Sequence, residues 1–388
     1  MSFGLGVAAF VVLLLFAIFF HELGHYLTAR WSGIKISQFF IGFGPTLWSR
    51  RGGRLEVVET PDGELVERPE TEYGIKALPL GGYVKVLGMS PFEDVPPEEH
   101  PRSFQAVSYW KRAVVLLAGS VTHFITASVV IMLILTVVGL PDPDRPTLRV
   151  SSLATELEDG TQAPAFKAGI EPGDRIVAVD GNRFEDWDAM RDYIRDRPGQ
   201  RLTVTVVRGE RELQLPITPA PTTEEGREIG VIGVSPEFES ARLGPLAAAR
   251  LTGQVLWRSL GLFVQATPRA LSPRNLGLIP GADPSPEERP ISIYGAGRIA
   301  ADLAARGRIA MFMEFFANIN IFIGLFNLLP LPPLDGGHLL LLGIERLRRK
   351  PLGQRALGRV MAVGFALLLL VGVSLLFRDI LSPAQLPF

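Results

Sequence analysis

The 388-residue sequence predicts a multi-pass α-helical membrane protein, with a β-rich loop between its first two spans and an α+β domain inserted between the second and third. Three observations predict this. Four stretches are apolar and long enough for a hydrocarbon core about 30 Å thick, which takes about 20 helical residues: Phe3 to Leu27, Ala113 to Leu140, Phe312 to Ile344 and Val360 to Phe377. The loop Gly33 to Pro101 carries strand-like runs punctuated by glycine, and Pro141 to Ala310 is largely polar. A hydrophobic content of 47% agrees with about four transmembrane helices.

The first span has no charged residue from Phe3 to Phe20. It lacks a basic region before it and a small-x-small cleavage site after it, so it reads as retained rather than as a signal peptide. In the loop that follows, "IKISQFFIGFG" and "TEYGIKALPLGGYVKVLGM" are strand-like, and "SRRGGRLEVVETPDGELVERPE" between them reads as a polar surface hairpin. Non-helical backbone survives at membrane depth only when protein covers it or it lines a cavity. These strands are therefore expected to dip against the helices and leave an edge near the active centre. The basic loop "ERLRRKPLGQRALGR" and the Lys111–Arg112 pair mark cytoplasmic ends, which puts both termini and the long insertion outside.

Within the insertion, "AGIEPGDRIVAVDG" (Ala168 to Gly181) and "LTVTVVRG" (Leu202 to Gly209) flank one predicted helix, Trp187 to Arg195, and resemble a PDZ domain of the bacterial type. Such domains bind peptide ends or strands by adding them to a sheet edge, and a spacer of the same fold with an unused groove is the bland alternative. Next, "LGPLAAARLTGQVLWRSLGLFVQAT" is expected to be an amphipathic helix at the outer interface, and "SPRNLGLIPGADPSPEERP" a flexible connector.

The chain has no cysteine, which excludes disulfides, thiolate metal sites and cysteine nucleophiles, and a net charge of −1 gives no reason to invoke nucleic acid. Chemistry concentrates instead in "FFHELGHYL", Phe19 to Leu27. His21 and His25 are four residues apart, so both imidazoles leave one helix face and can reach one zinc ion, with Glu22 beside them as general base. Three ionisable groups in five residues are costly at that depth unless they are paired or face a cavity. A catalytic zinc normally has three protein ligands. Asp335 in "NLLPLPPLDGGHLL" is the candidate third, a carboxylate in the third apolar stretch just after Pro330, Pro332 and Pro333 break the helix. His338 is read as a ligand or as an outer-shell residue, His100 as solvated, and His123 as facing the bundle interior or contacting the site.

"HELGH" in the first span, the PDZ-like insertion and "NLLPLPPLDGG" in the third, taken together, resemble the site-2 protease family, specifically bacterial regulated intramembrane zinc metalloproteases. That resemblance covers nearly the whole chain. It implies Zn2+ held by His21, His25 and Asp335, Glu22 as base, and Asn327 holding the substrate backbone. It also implies a membrane-reentrant β-loop at "IGFGP", with Gly42, Phe43 and Gly44 beside the bound strand. Expected domains are 1–140 (metal-binding helix, β-loop and second span), 141–239 (PDZ-like, extracytoplasmic), 240–310 (amphipathic helix and connector) and 311–388 (last spans and third ligand). The implied substrate is a single-pass membrane protein already trimmed on its outer side, such as an anti-sigma factor or a remnant signal peptide. The implied place is the bacterial cytoplasmic (inner) membrane, with the lipid bilayer as partner, a peptide end at the PDZ-like domain, and the active site toward the cytoplasm. The chain departs from the family pattern at "GSVTH": Ser120 and His123 stand where many relatives have proline and asparagine. A non-catalytic PDZ scaffold and a metal or proton transporter are the competing readings, although one broken span without an internal repeat is poor evidence for transport.

Overall fold

The computed structural model describes residues 3–59, 65–90, 93–157, 159–224, 226–270, 272, 274–275 and 290–382. They form two units, Met1–Ile134 with Gly244–Phe388, and Leu135–Leu243.

In the first unit, helix α1 (Phe3–Trp31) buries a single stripe that includes Gly6, Phe10, Ala17, Gly24 and His25. Small residues in that stripe let other helices approach closely. A Cβ on Gly6 would lie 2.8 Å from Ala301, and one on Gly24 would lie 2.8 Å from the Ala118 carbonyl of α2 (Tyr109–Leu133). Helix α2 ends in a π turn, Ile134–Val138, and its Ala127 and Val130 belong to apolar clusters with Phe316, Ala317 and Ile321 of a later helix.

That later helix shows where the third apolar stretch breaks. It stops at Asn327, and the proline-rich turn Leu328–Leu334 leads into a separate helix that starts at Asp335. Among the described residues four helices are long and apolar enough to cross a membrane: Phe3–Trp31, Tyr109–Val138, Ile309–Asn327 and Gln354–Leu381.

Between α1 and α2, β1 (Ile36–Glu59) and β2 (Leu65–Val86) pair antiparallel over most of their length. The run expected to be a polar surface hairpin continues the same two strands, and it exposes Leu55 and Val57. Residues 38–41 have partners on both sides, 82–85 and 72–75. Gly82–Val86 therefore forms an edge that no other described strand covers.

The second unit is a sheet of order β10-β3-β4-β6-β7, formed by β3 (Leu140–Leu153), β4 (Arg175–Val179), β6 (Leu202–Arg208), β7 (Arg211–Ile217) and β10 (Val234–Ala241). The short β5 (Asn182–Arg183) pairs with β4, and β8 (Ala220–Glu224) pairs with β9 (Arg227–Val231). Besides the single-turn α3 (Pro164–Ala168), the unit has the helix read from sequence, α4 (Trp187–Arg195), capped by Asp186, which accepts from the Ala189 backbone N–H at 2.7 Å. Trp187, Met190 and Ile194 of α4 pack on Val150, Ile176, Val204 and Val206 of the sheet. Asp174, 1% exposed, holds Arg208 through both carboxylate oxygens at 2.8 Å.

The 240–310 segment is not a domain of its own, because its helices pack into the first unit. α5 (Pro245–Ala270) sets Val255, Leu256 and Phe263 against α2 and α7 (Ile309–Asn327) and leaves Trp257, Leu262 and Val264 exposed. α6 (Ile293–Ala305), which follows the run read as connector and was not foreseen as a helix, packs Ala296, Ile299 and Ala300 on Phe10. Its signal is weak in sequence because small alanines and glycines make up much of its packed face. Most of the expected flexible run, Ser272–Pro290, lies outside the described residues. The proline turn is followed by α8 (Asp335–Arg348) and α9 (Gln354–Leu381). Helix α9 buries two residues: Gly364, whose missing side chain makes room for the Pro332 carbonyl, and Asp379, which accepts from the Ser292 backbone N–H and hydroxyl at 2.6 Å each.

Candidate metal centre

One turn of α1 separates His21 from His25, and Asp335 opens α8 opposite them. His21 Nε2 lies 3.2 Å from His25 Nε2, and Asp335 Oδ2 lies 3.6 and 3.4 Å from the two nitrogens. Atoms bound 2.0–2.1 Å from a tetrahedral zinc stand about 3.3 Å apart. The three side chains therefore have the spacing of a half-built zinc shell. Asp335 Oδ2 is buried without a hydrogen-bond partner, a costly state for a carboxylate unless a cation completes it. His25 Nδ1 donates to the Val115 carbonyl at 2.8 Å, which leaves the Nε2 lone pair facing the centre.

Glycines set the fit. A Cβ on Gly119 of α2 would lie 2.5 Å from His25 Nε2 and 2.7 Å from His21 Nδ1, so only glycine leaves both imidazoles in place. Gly336 and Gly337 turn directly against the Leu328 carbonyl and Pro332, which fixes Asp335 at the mouth of the proline turn.

Glu22 faces the uncovered sheet edge: a Cβ on Gly82 would lie 3.1 Å from Glu22 Cγ. From Gly82 that strand runs on to border a cleft of about 500 Å³ shared by Tyr83–Val86, Met89, Glu93, His338 and Met361. His338 donates from Nδ1 to the Leu334 carbonyl at 3.2 Å and lies outside the cluster of three donors. His100 is exposed in a short 3₁₀ turn. His123 is buried, its ring centroid 5.1 Å from that of His21.

Asn327 ends α7, half-buried, and is not part of the donor cluster. Gly42 and Gly44 have φ of 90° and 81°, left-handed values that suit glycine, where the register of β1 on β2 shifts. Phe43 stacks on Tyr83 with centroids 6.1 Å apart, so this turn meets the edge strand through a side chain and is not itself the edge. Gly119 and Asn320 escaped the reading of the sequence, which expected a strand edge in this loop without locating it at Gly82–Val86. A glycine four residues before His123 on a buried helix face was the available signal for the first.

A sequence profile of peptidase family M50 matches residues 9–58 and 63–371. The chain belongs to peptidase family M50. The zinc metalloprotease Rip1 of Mycolicibacterium smegmatis is 32% identical over 373 residues, 90% of this chain and 87% of that one. Rip1 of Mycobacterium tuberculosis is 32% identical over 426 residues, with 100% of both chains covered. Among solved structures, the PDZ domain of the SdrC-like protein from Listeria monocytogenes matches 24% of this chain and 87% of its own at 23% identity, with a TM-score of 0.20. This M50 peptidase is a zinc metalloprotease of the site-2 type, which sets aside the scaffold and transporter readings. Two nitrogens and one carboxylate oxygen are a donor set that suits zinc.

Proposed function

We propose that this M50 peptidase cuts a peptide bond within or near the transmembrane segment of a single-pass membrane protein already trimmed outside, such as an anti-sigma factor or a remnant signal peptide. The observation that carries the reading is the meeting of His21, His25 and Asp335, with Glu22 beside them, on helices apolar enough to lie in a bilayer. His21, His25 and Asp335 would hold a zinc ion, which when bound would supply Lewis-acid polarisation of the scissile carbonyl and of a water molecule. Glu22 takes the proton from that water and passes it to the departing amine.

A helical substrate hides its peptide bonds in its own hydrogen bonds and must unwind before it is cut. Once extended in an apolar setting it needs new backbone partners. The Gly82–Val86 edge beside Glu22 offers them by strand addition, and the adjoining cleft receives the side chains beyond the cut. Asn327 pairs with another part of the same strand, and the Gly42–Phe43–Gly44 turn acts through Tyr83 to keep that edge in place. Together these make β1 and β2 the reentrant β-loop.

The unit 135–243 is assigned to the extracytoplasmic side, where a PDZ-like groove takes a newly made peptide end and excludes full-length ectodomains. Support comes from charge: Lys111, Arg112 and the arginines from Arg346 to Arg359 gather at the helix ends assigned to the cytoplasm of a bacterial inner membrane. The test is cleavage of a tagged single-span substrate by purified protein in detergent, wild type against Glu22→Gln at equal zinc content. A product cut inside the apolar span by wild type alone is the expected result. Equal cleavage by both proteins would overturn the role given to Glu22.

A further inference from the structure

We propose that His123 and Asn320 form a tether that holds His21 in its metal-binding orientation and tautomer. The proposal rests on His21 being a zinc ligand. α2 and α7 bring the two side chains together, 2% and 0% exposed, although they are 197 positions apart in sequence. Buried polar groups on apolar helices are costly, which makes their pairing informative.

The hydrogen bonds define which nitrogen does what. Asn320 Nδ2 donates to the Phe316 carbonyl at 2.9 Å, which turns Oδ1 toward His123 Nδ1, 3.0 Å away. An amide oxygen only accepts, so Nδ1 carries the proton and neutral His123 keeps its lone pair on Nε2. α7 approaches α2 closely here, since a Cβ on Gly324 would lie 3.1 Å from His123 Cβ.

His21 needs such an acceptor. It faces His25 and Asp335 through Nε2, and a histidine that ligates through Nε2 carries its proton on Nδ1 and donates it outward. The Val115 carbonyl meets this need for His25, whereas the Gly119 carbonyl beside His21 makes no hydrogen bond of normal geometry with its buried Nδ1. The ring of His123 lies 5.1 Å from that of His21, with planes at 42°. Two imidazoles joined edge to edge by a hydrogen bond of about 3 Å have centroids about 5 Å apart. A small rotation therefore closes the chain Asn320–His123–His21. This gives the histidine in "GSVTH" a task in positioning a ligand, away from the substrate.

The test measures zinc affinity by chelator competition on the full chain in detergent, together with the visible spectrum of the cobalt-substituted protein. His123→Phe should weaken zinc by about 10- to 100-fold and alter the cobalt spectrum. His123→Gln, which can accept from His21 and donate to Asn320, should return affinity to within about threefold of wild type. Asn320→Leu, which frees the tautomer, should fall between the two, and it serves as the second reading if the phenylalanine variant does not fold. Ser120, also on α2, has a buried hydroxyl without a partner, so Ser120→Ala is the control and should leave zinc unchanged. Wild-type affinity in both His123→Phe and Asn320→Leu overturns the tether, as does loss in Ser120→Ala without loss in His123→Phe. Equal loss in the glutamine and phenylalanine variants also overturns it, by reducing His123 to a packing role. His21→Ala separates the two levels: if it keeps full zinc affinity, the ligand assignment itself fails.

Discussion

Replacing Gly119 by alanine adds one methyl group to a crowded point of the candidate metal centre. That Cβ would lie 2.5 Å from His25 Nε2 and 2.7 Å from His21 Nδ1, where ordinary contact begins at 3.4 Å. The nearest atom is His21 Cε1 at 2.4 Å, so the imidazoles must move by up to about 1.0 Å, or α1 and α2 must separate by as much. Metal–ligand distances tolerate only about 0.2 Å, so at least one histidine leaves its place on the metal. The expected result is zinc affinity at least about 100-fold weaker, about 2.7 kcal/mol, with a parallel loss of cleavage. Chelator competition on detergent-purified protein measures the first, and cleavage of a single-span substrate at saturating zinc measures the second. Gly343→Ala, which meets nothing within 4 Å, is the matched control and should be neutral. A Gly119→Ala protein that binds zinc within about threefold of wild type would refute the claim that this glycine sets the ligand spacing.

Other perturbations separate the site's tasks. Glu22→Gln should keep its zinc and lose cleavage by about 10²- to 10⁴-fold, the usual contribution of general acid–base catalysis, as read by metal analysis and single-turnover rates. Asp335→Ala should lose zinc first and activity with it, measured by dialysis against chelator and restored in neither respect by moderate zinc excess. Gly82→Val should press on Glu22 Cγ and on Ile18, lowering the cleavage rate while zinc affinity stays at the wild-type level. In the second unit, the hydrogen bonds from Arg208 hold the Asp174 carboxyl below the usual carboxylate range. Stability from that pair is fully present above the unfolded-state value of about 3.9 and is lost as pH falls through the lower folded value. Hydrogen exchange across residues 171–208 of the full chain should rise below about pH 4 in wild type. Asp174→Asn should show higher exchange already at pH 7 and a flatter acid response, since a charge-assisted hydrogen bond contributes about 1.5–3 kcal/mol.

The reading of the sequence was strongest where a local rule leaves few alternatives. A run without charge from Phe3 to Phe20 can hardly be anything but a buried or membrane helix, and histidines four apart on it share a face whatever packs there. Asp335 was legible for a related reason, since a carboxylate among prolines and leucines calls for a partner. What stayed hidden depends on contacts between distant residues. Gly119 looks like any small residue of an apolar helix until His21 and His25 are seen against it. Asn320 gains its meaning only from His123 on another helix. The Gly82–Val86 edge could not be told from the inner strand at residues 38–41, because both are short strand-like runs with aromatic and aliphatic residues and only the register distinguishes the side that is covered. Helix α6 was lost to its own composition: alanine carries little of the periodic hydrophobicity that marks a helix in sequence.

Helix α9 sets Gly364 against the proline turn and Asp379 against the start of α6, its Arg378 donates to the Asn275 carbonyl, and most of its remaining surface is open. Its Met361 nevertheless forms part of the cleft wall that also includes His338 and the edge strand. One wall of that cleft is therefore held in place less by neighbouring protein than by whatever solvates an apolar helix. In a bilayer that solvent is lipid, and its thickness and lateral pressure act on the cleft as directly as a point mutation would. The width available to an unwound substrate is in this sense a property of the protein and its membrane together, and the same chain should select differently in short-chain and long-chain lipids.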